Sequence, residues 1–200
     1  MPGTYTVELM VDGRSVEKKP MRVIMDPEVQ FTEATRRRYN AIVMDLHDMQ
    51  RRGTPAASAL GALAPEVRRV STEIASSNAP ADVKQQFAAF KTAFDASAAK
   101  FGVQTAPDSA QALAGRGGGR GGRGGGGAAP DASVFGRLVA LKTAIMSIWE
   151  MPSTSLVQQY TDVKAALPPA ITEANTVVTR ARSLSTSLQR YNITMRVPAM

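Results

Sequence analysis

The apolar residues change period near Thr32, and this one change divides the chain into two unlike parts. Before it, Tyr5, Val7, Leu9 and Val11 alternate with Thr4, Thr6, Glu8 and Met10, the period-two pattern of a half-buried strand. Asp12-Gly13 follows as a tight-turn signal, and a return strand sets Met21, Val23 and Met25 on one face. Pro20 interrupts that strand, which predicts an edge position or a bulge, and Asp26-Pro27 closes the segment. Two strands are marginal in water, and the sequence offers no third. Either the hairpin packs on the helices that follow or its sheet partners lie in other sequence; the second is expected. Met1, followed by neither a charged n-region nor an apolar h-region, reads as a cut.

Beyond Thr32 the apolar spacing is three and four. Tyr39, Ile42, Leu46 and Met49 form one helical stripe, with Arg51, Arg52 and Gly53 as its expected C-terminus. A second stripe is Leu60, Leu63, Val67, Val70 and Ile74, with a kink or a fresh start expected at Pro65 and a boundary over Ser76–Pro80. A third helix carries Val83, Phe87, Phe90, Phe94 and Phe101. Each of these three would be roughly 30 Å long at 1.5 Å per residue. Asp131 is the expected N-cap of a fourth helix bearing Val134, Leu138, Leu141, Ile145 and Ile148. Met151-Pro152 ends it and Ser153 caps the last, which runs from Leu156 through Leu188 to Tyr191 and bends at Pro168-Pro169. Of the 200 residues 31 are Ala and only 6% are aromatic, a mix suited to helices in close contact. The predicted class is mainly α: an antiparallel helical bundle preceded by a short β-hairpin left over from a truncated Ig-like sheet.

Periodicity vanishes over 102–131. Ten of the 13 residues from Gly115 to Gly127 are Gly and the other three are Arg116, Arg120 and Arg123. Burial cannot offset that much backbone entropy, so a Gly/Arg-rich linker is expected. The expected organisation is therefore a hairpin fragment at 1–28, helical hairpins at 29–101, a disordered linker at 102–131 and the remaining helices at 132–200.

The join between the two parts carries a resemblance. Pro2-Gly3-Thr4-Tyr5-Thr6-Val7, Val11-Asp12-Gly13 and Met25-Asp26-Pro27 resemble the closing strands of the Ig-like module in large bacterial β-propeller proteins. Those proteins carry BNR or sortilin-type repeats and are often labelled glycosyl hydrolase or sialidase-like. Met151-Pro152-Ser153-Thr154 is similar to that family's entry into a long final helix. The resemblance spans most of the chain except the glycine-rich insert. It implies a secreted or periplasmic protein, with the propeller and the remaining Ig-like strands as partners of this region. The propeller has no counterpart here, so no catalytic or ligand residue carries over.

Composition and motifs speak against most chemistry. Zero Cys excludes thiolate catalysis and Cys-ligated metals, and one His leaves little for a zinc site or a Ser-His-Asp triad. No cofactor is expected. No apolar stretch approaches the 18 or so residues of a membrane span. The net charge is +7, but without the three linker Arg residues 21 basic side chains face 17 acidic ones, an ordinary +4. GRGGGRGGRGGGG resembles an RNA-binding RGG box with too few Arg and no aromatics, so a spacer is the expected reading. His47 with Asp45 and Asp48 does not converge on one helical face. Ser97-Ala-Ala-Lys100 matches the acyl-enzyme S-x-x-K pattern without its companion motifs. Arg36-Arg37-Arg38, Arg51-Arg52 and Arg68-Arg69 read as solvated faces. Asn192-Ile193-Thr194 is a sequon, and Trp149 a packing anchor or an interface residue.

Two functional expectations follow. The first is a non-catalytic structural or interaction region at the C-terminus of a larger exported β-propeller protein, with a protein partner or self-association. The second is a binding module that contacts RNA or another polyanion through Arg116, Arg120 and Arg123.

Overall fold

The computed structural model describes residues 2–26, 28, 32–105, 133–148 and 150–198. Its elements are strands β1 (Gly3–Val11) and β2 (Arg14–Val23), then helices α1 (Glu33–Ser76), α2 (Ala81–Lys100), α3 (Val134–Met146) and α4 (Thr154–Leu188). The chain is mainly α with an N-terminal antiparallel hairpin, as the change of period predicts.

The helices form an up-down-up bundle whose middle layer is in two pieces. α2 returns from the top of α1 through the turn that follows Ser76. α3 takes the same direction lower down: Phe135 at its start meets Gly53, and the Ile145 carbonyl at its end accepts a 2.9 Å hydrogen bond from the Tyr39 hydroxyl. α4 runs alongside α1, with Tyr160 beside Asp45 and Leu167 beside Gly53. Two apolar cores result. The lower one unites Ile42, Leu46 and Met49 with Leu138, Leu141, Ile145, Val163 and Leu167. The upper one gathers Leu60, Leu63 and Val67 with the Phe87, Phe90 and Phe94 stripe and with Ala170, Ala174 and Ala181 of α4. Phe135 and Ile171 pack against both, and the Phe101 and Phe135 rings lie 5.8 Å apart across the break in the middle layer. The glycine-rich stretch Gly115–Gly127, expected as a linker, lies outside the described residues.

The expectation of a helix ending at Gly53 is overturned: α1 is one helix of 44 residues, about 66 Å long at 1.5 Å per residue. Gly53 is buried, and a Cβ there would stand 2.6 Å from the Phe135 ring, so this glycine permits close packing and does not terminate anything. Nor does a new helix begin at Pro65. Pro55 and Pro65 in α1, like Pro168 and Pro169 in α4, are all exposed. The carbonyls they leave unbonded, four residues earlier, belong to Arg51, Gly61, Lys164 and Ala165, also exposed and open to water. The roughly 3 kcal/mol that an interior proline costs is offset because the buried stripe stays in phase on both sides.

Capping agrees with the sequence at Ser153, whose Oγ accepts from the Leu156 amide at 3.3 Å. It differs at α3: Ser133, not Asp131, is the N-cap, its Oγ accepting from the Gly136 amide at 2.9 Å. The last helix stops at Leu188. A 3-10 turn (Gln189–Tyr191) and a left-handed Asn192 then redirect the chain, and Ile193 and Met195 are buried in the upper core. No helix among the described residues is long and apolar enough to cross a membrane.

Candidate interaction surface

Every residue of β1 and β2 is exposed, although eight of the 19 are apolar. The turn explains the hairpin: Asp12 and Gly13 both have positive φ (50° and 77°), which a type I′ turn requires and which matches the twist of the flanking strands. Register pairs Tyr5 with Met21, Val7 with Lys19 and Leu9 with Glu17, so Tyr5, Val7, Leu9, Val11, Met21 and Val23 share one face. The other face holds Thr4 with Arg22, Thr6 with Pro20 and Glu8 with Lys18, the last an ion pair of 3.2 Å. Of the edge position or bulge expected at Pro20, the edge holds; the bulge lies elsewhere, where the register shifts between Leu9 and Met10 and leaves Val16 as the extra residue. Pro20 itself sits in the ladder opposite Thr6, on an edge strand. This face, which also holds the Lys19–Glu17 ion pair of 3.0 Å, has Leu9 54% and Tyr5 43% exposed, whereas the helical stripes are almost wholly buried. Exposed apolar area of this kind, gathered on one face, marks an interaction surface.

Within the bundle one polar cluster joins α1 to α4. The Tyr160 hydroxyl donates to Asp45 Oδ2 at 2.6 Å, and Lys164 Nζ lies 2.8 Å from the same oxygen and 3.1 Å from the Tyr160 oxygen. Partial burial pushes the Asp45 carboxyl upward, but the hydrogen bonds from Lys164 and Tyr160 and the charges of Lys164 and Arg52 hold it below its usual range. Burial and the Asp45 hydrogen bond push the Tyr160 phenol up, and the hydrogen bonds to Asp45 and Tyr160 push Lys164 up to about 12. Each group is thus fixed in its ordinary charge state: this is a clamp between helices, not an acid–base pair poised near neutrality. Beside it a groove of about 500 Å³ is lined by Met49, Arg52, Lys164, Leu167, Pro168 and Ile171. The spacing of Tyr160 and Lys164 is visible in the sequence; their meeting with Asp45, 115 residues from Tyr160, is not.

Other sequence candidates are dispersed. His47 is exposed, with Nδ1 3.1 Å from Lys142 Nζ, which also donates to Gln50 Oε1 at 2.8 Å. No group of three or more potential metal ligands converges among the described residues. Ser97 faces the core, 1% exposed and with its Oγ unbonded among the described residues, while Lys100 Nζ is on Glu173; the S-x-x-K pattern brings no base to the hydroxyl. Arg37, Arg51 and Arg69 are engaged with Glu33, with Asp48, and with Glu66 and Glu73. Asn192 is exposed in its left-handed turn. Arg116, Arg120, Arg123, Asp131 and Trp149 lie outside the described residues. Comparison with protein-family models, curated proteins and solved structures found no match to this chain.

Proposed function

We propose that the chain is a non-catalytic structural and interaction region at the C-terminus of a larger exported β-propeller protein, its hairpin completing a sheet of an Ig-like module. The observation that carries this reading is the hairpin, with six apolar side chains on one face and no residue of either strand buried. A strand pair so exposed is marginal in water and gains stability where further strands or an apolar layer join it. The helices that follow it have a core of their own, which includes no hairpin residue. The resemblance of Pro2–Val7, Val11–Gly13 and Met25–Pro27 to propeller-associated Ig-like strands supplies the kind of parent, and export rests on that resemblance alone.

Two measurements test the reading. The gene upstream of the Met1 codon is expected to continue in frame into propeller repeats; a ribosome-binding site and an in-frame stop just ahead of Met1 would refute it. Purified residues 1–200 are expected to turn over no glycoside or peptide substrate, and sustained turnover would overturn the non-catalytic assignment.

A further inference from the structure

The two edges of the hairpin are not equivalent. The turn bond joins Val11 and Arg14, the residues flanking Asp12-Gly13. Pairs in an antiparallel ladder alternate between mutually bonded and outward-facing. Counting back along β1, Val11, Leu9, Val7, Tyr5 and Gly3 bond inward to β2, while Thr4, Thr6 and Glu8 turn their N–H and C=O groups outward. The bulge at Val16 leaves the parity on β1 unchanged. Pro20, opposite Thr6, therefore occupies an outward-facing position, the only kind a proline can fill without breaking the ladder. Its missing N–H falls at the middle of the outer edge of β2. That edge is blocked to a further strand, and the outer edge of β1, with no proline from Gly3 to Val11, is open.

We propose that in the 200-residue chain the open edge of β1 pairs with β1 of a second copy, antiparallel about Thr6, to give a closed four-stranded sheet ordered β2-β1-β1-β2. The register is complementary to itself. With Thr6 opposite Thr6, each Glu8 meets the partner copy's Thr4, and no acid faces an acid. The polar-face row then reads Lys18, Glu8, and from the second copy Thr4 and Arg22, so each carboxylate has a cation beside it and faces no like charge. On the other face each Tyr5 meets the second copy's Val7, an aromatic–β-branched pair of the kind that stabilises sheets by about 0.2–1 kcal/mol. Pro20 at both outer edges ends the sheet at four strands, so the association is a two-fold dimer and not a fibre. This does not depend on the parent protein proposed above: a strand of a larger chain would compete for the same edge.

Sedimentation velocity of residues 1–200 over a concentration series tests it. The expected species has twice the 21.3 kDa chain mass. Thr6→Pro removes an outward-facing N–H from β1 without touching the inward ladder and is expected to yield a monomer; a retained Tyr5–Met21 NOE shows that its hairpin is intact. Pro20→Thr opens the second edge and is expected to add species larger than a dimer. A wild-type chain monomeric throughout overturns the second copy as occupant and leaves the edge to another strand. A dimer that survives Thr6→Pro with the hairpin intact overturns the edge assignment.

Discussion

The hairpin and the bundle use apolar residues at comparable regularity and end in opposite states. In the bundle, stripes stepping by three and four meet one another, and Leu46, Leu60, Leu63, Val70, Leu138, Ile145, Ala174 and Leu188 have no accessible surface left. In the hairpin, a stripe stepping by two is buried at no position, and Leu9, Val11 and Met21 stay about half exposed. The difference lies in the number of faces available. Three helical layers give each stripe two neighbours, whereas two strands give a sheet face none. Regular patterning is thus necessary for a core and insufficient for one; what it lacks in the hairpin is a second layer.

The sharpest way to break this comparison is to remove one large side chain from the bundle. Phe94, 1% exposed within the upper core, is expected to cost about 3–5 kcal/mol as Phe94→Ala, read from urea unfolding followed by far-ultraviolet circular dichroism. A loss below about 1 kcal/mol would mean that the upper core is not packed as described. The joint between the cores responds to the opposite change. Gly53→Ala gains up to about 1 kcal/mol in helix propensity but drives a methyl into the Phe135 ring, and a net loss within about 1–3 kcal/mol is expected. In a Phe135→Ala background the clash is gone, and the same substitution is expected to stabilise. A net gain in both backgrounds would show that Gly53 holds no close approach.

Most of this was legible in the sequence, and the parts that were not share a cause. Stripes, the Asp12-Gly13 turn and the Ser153 cap are local, and the residues that decide them lie within a few positions of one another. Gly53 followed two arginines and matched a helix end; only the arrival of Phe135, 82 positions away, makes it a packing glycine. Pro65 reads as a kink or a fresh start because local rules count the lost donor, while the compensation is the buried face on the far side of the helix. The clamp at Asp45 and the pinned tail had no local signal at all. The tail is held by the Ser185 hydroxyl donating to the Met195 carbonyl at 2.7 Å and by the Arg196 amide donating to Glu66 at 3.1 Å, partners chosen by tertiary position.

The carboxyls of Glu66 and Asp45 set a smaller, pH-dependent effect confined to the bundle. The Glu66 carboxyl is held low by Arg69 and by the Arg196 amide, as the Asp45 carboxyl is, against its burial, by Lys164 and Tyr160. A depressed carboxyl contributes stability that is present above its ordinary value, 3.8 for Asp45 and 4.5 for Glu66, and is lost as pH falls through the folded one. Urea midpoints are therefore expected to fall as pH drops below about 4, with Asp45→Asn and Glu66→Gln each flattening that limb by less than about 1 kcal/mol, since their cationic partners Lys164 and Arg69 are open to solvent. At the alkaline end the sign reverses: Lys164 has its pKa raised to about 12, so its share persists below 10.5 and disappears as pH climbs toward 12. Acid limbs of equal slope in the wild type and both variants would remove these contacts from the stability of the bundle.

The smallest expected effect carries the comparison furthest. Leu9 and Phe94 are both large apolar residues at pattern-correct positions, yet Leu9 is 54% exposed and touches no helical core. In the Thr6→Pro background, where strand pairing between copies is removed, Leu9→Ser is expected to change bundle unfolding by no more than about 0.5 kcal/mol. The same substitution in the wild type is expected to weaken the dimer, because it deletes an apolar side chain beside the second copy's Gly3 and Val23. If Leu9→Ser instead destabilised the helices of the monomer by as much as a core truncation, the hairpin would have to rest on the bundle, and the contrast between a covered stripe and an uncovered one would fail. A null effect on the helices together with a loss of association places the energetic role of the alternating stripe outside its own copy of the chain.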